Sequence, residues 1–238
     1  MSQAAYALRK AEEVDGYRAA CEACTLNSAA RMKQVYAPTR LEKNELDRLV
    51  NALYTHPLAT TTDVVVLHPS ADNGYPHTRP NSIICMPASA ITSMSDSTLA
   101  NTMLHEAIHI HQRRNPELWK RACNKEGWTE VSANQIPTKF IERSRINPDT
   151  MACPYWAWQT HSVPLPLFIR EDYPTMEGVR IKWLDLRTNA LLSEPPPSFT
   201  ARYGTPSQPE HPYEILAVTY ANENINTEES LKRKLDFI

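Results

Sequence analysis

The chain has 238 residues, 42% of them apolar and 22% charged, enough to close one large core or two small ones without disulfide staples. A formal net charge of −2 and the lack of a long, aromatic-laced basic run exclude an ordinary nucleic-acid groove, and no apolar stretch reaches the length of a membrane span. The 19 prolines against 5 glycines point to long ordered loops, and 5 irregularly spaced cysteines point to a reducing compartment rather than a disulfide framework.

The first residues, Met1 to Arg9, are polar and lack the apolar core of a signal peptide, so secretion by the usual route is not expected. From Ser2 to Val35 strong helix formers without proline predict one or two helices, with a break near Gly16. The lone Cys21-x-x-Cys24 pair reads as two small residues on an amphipathic helix rather than a metal or redox pair. Leu46, Leu49, Val50, Leu53 and Tyr54 follow the helical period, and Pro57 stops that helix. Asp63–Leu67 and Ser82–Met86 then read as short strands on either side of a turn-rich stretch.

Ser95 and Asp96 are good N-cap residues for a mostly buried helix from Ser97 to Arg113, which Pro116 closes off. Pro116 to Ala133 is expected to be helical around Leu118–Ala122 and again around Glu130. Asn147 to Phe168 carries four prolines with Tyr155, Trp156 and Trp158, and reads as a loop that either lines a groove or packs under the core. Val179–Leu186 and Ala190–Leu192 suggest a hairpin turning at Thr188-Asn189; Glu194–Pro209 reads as a linker. Pro212 opens a last helix, Tyr213 to about Asn222. The expected class is α+β, with a helical segment over 1–58, a main domain over 59–223 and a polar, peripheral tail over 224–238.

Within the Ser97–Arg113 helix stands His105-Glu106-Ala107-Ile108-His109. Residues four apart on a helix project from one face, so both imidazoles aim at one point and Glu106 flanks it. Neutral imidazoles and a third protein ligand make a zinc site with a position left for water, and the neighbouring carboxylate can take the water's proton. One zinc ion is therefore the expected cofactor.

The three-histidine extension fails, because Gln112 and Asn115 stand where a glycine and a third histidine would be. A glutamate on a later element is the remaining common solution. Glu130 lies nearer along the chain, although Gly127 weakens a helix start there, and Glu126 is an outsider. Glu214 is preferred: Glu214, Ala217 and Ala221 share one helical face, and the small alanines would let that helix approach the histidine helix closely. His111, turned about 200° round the helix from His109, is a poor ligand candidate.

The combination resembles the gluzincin branch of the zincin metallopeptidases. A short strand at Ser82–Met86 precedes His105-Glu106-x-x-His109, and a distant helix carries Glu-x-x-Ala at Glu214–Ala217. The runs His109–Arg113, Asn147-Pro148-Asp149 and His211–Ala217 look like H-E-x-x-H proteins of bacteria and large DNA viruses, and the resemblance spans about Asp63 to Asn222. It implies a zincin-like fold, with a small mixed sheet whose edge strand packs on the metal-binding helix, in a mostly helical chain with proline-rich loops. It also implies His105, His109 and Glu214 as zinc ligands, Glu106 as general base, and Ser82–Met86 as an edge strand along which an extended peptide aligns.

The expected reaction is hydrolysis of a peptide or protein substrate in the cytoplasm or a virus particle, with no nucleic-acid or membrane partner. An oxyanion donor is expected among Tyr203, His211, Tyr213 and Tyr220, which flank the third ligand; His211 and Tyr203 are preferred. The alternative is a catalytically silent relative that binds or builds part of a larger assembly such as a virion.

Overall fold

The computed structural model describes residues 2–236; Met1 and the last two residues of the expected tail lie outside them. The N-terminal segment forms α1 (Gln3–Asp15), α2 (Tyr17–Ala23) and α3 (Thr25–Arg31). Ser2 caps α1, and the break falls at Gly16, whose left-handed φ of 59° ends α1 and whose N–H closes onto the Glu12 carbonyl. A second break, at Cys24, was not foreseen: it makes Cys24 the N-cap of α3, while Cys21 is buried on α2. All five cysteines are free thiols.

Helix α4 (Lys43–Thr55) begins with a capping box between Glu42 and Glu45. Only part of its apolar stripe is used: Leu49 and Ala52 enter the main core, whereas Tyr54 is 70% exposed. Next come β1 (Asp63–Leu67), β2 (His77–Arg79) and β3 (Ile83–Pro87), in the spatial order β1-β3-β2. β3 runs parallel to β1 and antiparallel to β2, with Val65 opposite Cys85 and Thr78 opposite Ile84. This corrects the expectation for Ser82–Met86. The strand starts one residue later, because Asn81 and Ser82 take positive φ as turn residues, and it is the central strand of its sheet. The outer strands beside it are β1 and β2, the latter in a segment that its prolines marked as turn.

β3 leads through α5 (Ala88–Ser93) to α6 (Asp96–Arg114), which carries both candidate histidine ligands. Ser95 accepts a hydrogen bond from the Thr98 N–H, Asp96 lies in the first turn, and Arg113 and Arg114 lie in the last, each placed favourably for the helix dipole. The helix is buried on most sides because α4, β2, β3, α7 (Pro116–Lys125) and α10 (Pro212–Asn222) surround it. Pro116 at the start of α7 forces the chain to turn between the two helices.

A second sheet holds β4 (Trp128–Glu130), β5 (Trp156–Trp158), β6 (Ser162–Phe168), β7 (Val179–Asp185) and β8 (Ala190–Leu192), hydrogen-bonded in that order. Glu130 is thus on a strand, not a helix. The proline-rich stretch expected as a loop supplies β5 and β6. Pro164 and Pro166 are tolerated because their backbone nitrogens face away from β7: the Pro166 carbonyl, on the same side of the strand, accepts from Arg145. Trp156 and Trp158 are core residues rather than a groove lining, and each such ring removes about 150–250 Å² from water. Short helix α8 (Thr138–Ile141) covers a second cluster with Phe140 against Val163, Leu165 and Leu184.

The β7–β8 hairpin turns where expected, with Asn189 at φ 57°. The stretch expected as a linker contains α9 (Pro197–Tyr203), anchored by buried Phe199 under Trp128, Trp158 and Trp183. After α10, the tail is not peripheral: α11 (Glu228–Asp236) buries Leu231 and Leu235 in the same core as α4 and α6. Among the described residues no helix is long and apolar enough to cross a membrane. The class is α+β.

Candidate metal centre

Helix α6 presents His105 and His109 one turn apart, and α10 packs across it through buried Ala217 and Ala221. That close approach delivers Glu214 to the imidazoles. His109 Nε2 lies 3.0 Å from His105 Nε2 and 3.1 Å from Glu214 Oε2, and His105 Nε2 lies 3.5 Å from the same oxygen. Zinc ligands about 2.0–2.1 Å from a tetrahedral ion stand roughly 3.3 Å from one another. The three donor atoms therefore match three corners of such a site, and His105, His109 and Glu214 form a group that can hold a metal ion.

The burial is uneven. His109 and Glu214 are inside the protein, with Glu214 2% exposed, whereas the His105 side chain is 13% exposed and opens the group to a cavity. The cavity, of about 650 Å³, is lined by His105, Glu106 and Glu214 and, among other residues, by Tyr75, His77, Arg145, Asn147 and Asp149. Glu106 is buried, and its Oε2 has no hydrogen-bond partner. An orphaned carboxylate oxygen next to clustered imidazole nitrogens is costly unless a cation or a proton donor is meant to meet it.

Electrostatics follow from this crowding. Burial alone would raise Glu214, but the surrounding His109 and His105 reverse that and hold its carboxyl well below the usual carboxylate range. Burial would lower His109, yet Glu214, Asp149 and Glu106 carry it up to about 10. Burial and the nearby Asp149 push Glu106 well above the ordinary glutamate value. A site that stabilises added positive charge this strongly suits a divalent cation.

Two side chains stand behind the donors, and the sequence alone assigned neither of them this role. Gln112, in the position that excluded the three-histidine class, accepts from His109 Nδ1 at 2.7 Å and donates to the Tyr213 carbonyl at 3.0 Å. It thereby fixes the His109 tautomer with Nε2 toward the group and ties α6 to α10. Asn147 Nδ2 donates to Glu214 Oε1 at 2.7 Å, leaving Oε2 for the imidazoles. The i, i+3 spacing of His109 and Gln112 was the available signal for the first; the run Asn147-Pro148-Asp149 stood out for the second, without a role attached to it.

Other expected residues are placed elsewhere. Glu130 pairs with Lys120 at 2.6 Å on β4, and Glu126 binds Arg202. Tyr203 accepts from the Trp128 indole and donates to Glu126, away from the cavity. His211 is the N-cap of α10, with Nδ1 accepting from the Tyr213 N–H and Nε2 donating to the Cys153 carbonyl; burial drives its pKa down to about 4. With both nitrogens bonded to backbone it has no proton to offer an oxyanion. Tyr213 and Tyr220 also stand outside the cavity lining. His111 accepts from the Trp119 indole on the far side of α6, as its turn round the helix implied. Comparison of the chain with models of protein families, with curated proteins and with solved structures finds no match.

Proposed function

We propose that this chain is a zinc-dependent peptidase of zincin-like fold and gluzincin type. The observation that carries the reading is the convergence of His105, His109 and Glu214 at tetrahedral spacing, open to a cavity where Glu106 has an unbonded oxygen. Zinc held there supplies Lewis acidity toward a carbonyl and acidifies a water molecule. The chain's own residues do the rest. Gln112 and Asn147 hold His109 and Glu214 in orientation. The Glu106 carboxyl, which lines the cavity and has an oxygen without a hydrogen-bond partner, takes the proton of the attacking water and returns it to the leaving amine.

The set of two imidazoles and a carboxylate supports a catalytic over a structural metal, since structural zinc favours closed, cysteine-rich sites and the five thiols stand outside the group. The test pairs the zinc-loaded native protein with Glu106→Gln on a mixed peptide library, with metal content measured for both. Cleavage by the native protein, lost at least 100-fold in the variant with zinc retained, is the expected result. Zinc in both with cleavage in neither would replace the peptidase by a silent zincin that serves as a binding or virion component.

A further inference from the structure

A substrate peptide that adds to a sheet needs backbone donors and acceptors on a free strand edge. β3 has none to give, because β1 and β2 pair with it on both sides. β1 and β2 are the outer strands, and of the two only β2 borders the cavity, through His77; there alternation sends the backbone groups of every second residue outward. At Thr78 that outward N–H is already used: it donates to Asp149 Oδ1 at 2.7 Å. The flanking residues of the same parity are Pro76 and Pro80, which have no N–H.

The closure is braced. Asp149 Oδ1 also accepts from the Thr78 hydroxyl. Arg113, on α6, donates to the Thr78 hydroxyl at 2.7 Å and to the Pro148 carbonyl at 3.1 Å, and reaches the Thr78 carbonyl at 3.5 Å. The Asn147–Asp149 segment therefore occupies the line that an added strand would take, while Asn147 holds Glu214. Arg145, Ile146, Asn147 and Glu210 line both this cavity and a second one of about 1100 Å³, and Arg145 pairs with Glu210 at 2.7 Å.

Resting on the peptidase reading, we infer that the site takes short peptides, held by side chains inside a cavity of about 650 Å³, and does not take extended segments by strand addition to β2. That volume lies within the range of about 300–1,000 Å³ typical of small-ligand pockets. Two measurements test it. First, a short peptide cleaved by the zinc-loaded protein is compared with the same sequence in the middle of a long unfolded polypeptide. The expected kcat/KM for the embedded sequence is at least tenfold lower; equal or faster cleavage overturns the inference and leaves the peptidase reading standing, whereas cleavage of neither overturns both.

Second, amide hydrogen exchange of Thr78 is followed in the metal-free full chain, which needs no activity. The native amide is expected to be protected, and Asp149→Ala to exchange at least tenfold faster. An unprotected native Thr78 overturns the closed edge alone, and so does unchanged protection in a folded Asp149→Ala variant.

Discussion

Gln112→Leu removes the amide that holds His109 while keeping a side chain of similar size in a position only 1% exposed. His109 Nδ1–H then loses its partner, and the Tyr213 carbonyl loses one of two, since it still accepts the helical bond from Ala217 N–H within α10. A buried polar group left unsatisfied costs about 1–3 kcal/mol, so the metal-free protein should lose about that much. Loss of a partner behind a metal-binding histidine lowers metal affinity about 10–100-fold, or about 1.4–2.7 kcal/mol. Gln112→Glu separates the two effects. Its carboxylate still accepts from His109 but can no longer donate to the Tyr213 carbonyl, so zinc affinity should stay within about threefold of native while stability falls. Zinc competition against a chromophoric chelator and urea unfolding in a strong chelator give both numbers. Native zinc affinity in the leucine variant, or equal losses in both variants, would refute a positioning role for Gln112.

Asn147→Ala should weaken zinc binding roughly tenfold, because it frees Glu214 Oε1, with the change read by calorimetric titration. Arg79 is fully buried and bonded to Asp15 through two nitrogens at 2.6 and 2.7 Å, so Arg79→Met should cost about 3–5 kcal/mol in urea unfolding by stranding that carboxylate; a loss below about 1 kcal/mol would contradict it. His211 gives a pH signature. Its folded pKa is held at about 4 by burial against about 6.5 in an unfolded chain, so between those values the unfolded state binds the extra proton. The neutral form's contribution is complete above pH 6.5 and is lost as pH falls to about 4, amounting to roughly 3 kcal/mol. Metal-free His211→Asn, which keeps an N-cap side chain, should show a correspondingly flatter stability profile over that window.

The legible parts of this chain were those fixed by local chemistry. The cap at Ser95, the two-histidine spacing and Pro116 bounded α6 within one residue, and the Glu-x-x-Ala face of α10 was enough to prefer Glu214. What failed depended on partners distant in sequence. Pro164 and Pro166 argued against a strand, yet their nitrogens turn away from β7, a fact decided by the register with a strand 15 residues on. β2 was hidden among prolines that suit an outer strand as well as a turn. The tail was judged by its charge, although Leu231 and Leu235 fall four apart on one face of α11. At the site, His211 looked like an oxyanion donor because it neighbours the third ligand; its hydrogen bonds to Tyr213 and Cys153 consume both ring nitrogens. Asn147 and Asp149 came from a loop whose position follows only from the folded chain.

X-ray absorption at the zinc edge of the loaded protein reads the donor set directly. Two imidazole nitrogens and protein oxygen at about 2.0–2.1 Å, with one imidazole lost in His109→Ala, is the spectrum expected of a centre built by His105, His109 and Glu214. Sulfur scattering at about 2.3 Å, or a spectrum that His109→Ala leaves unchanged, would place the metal elsewhere and contradict the account.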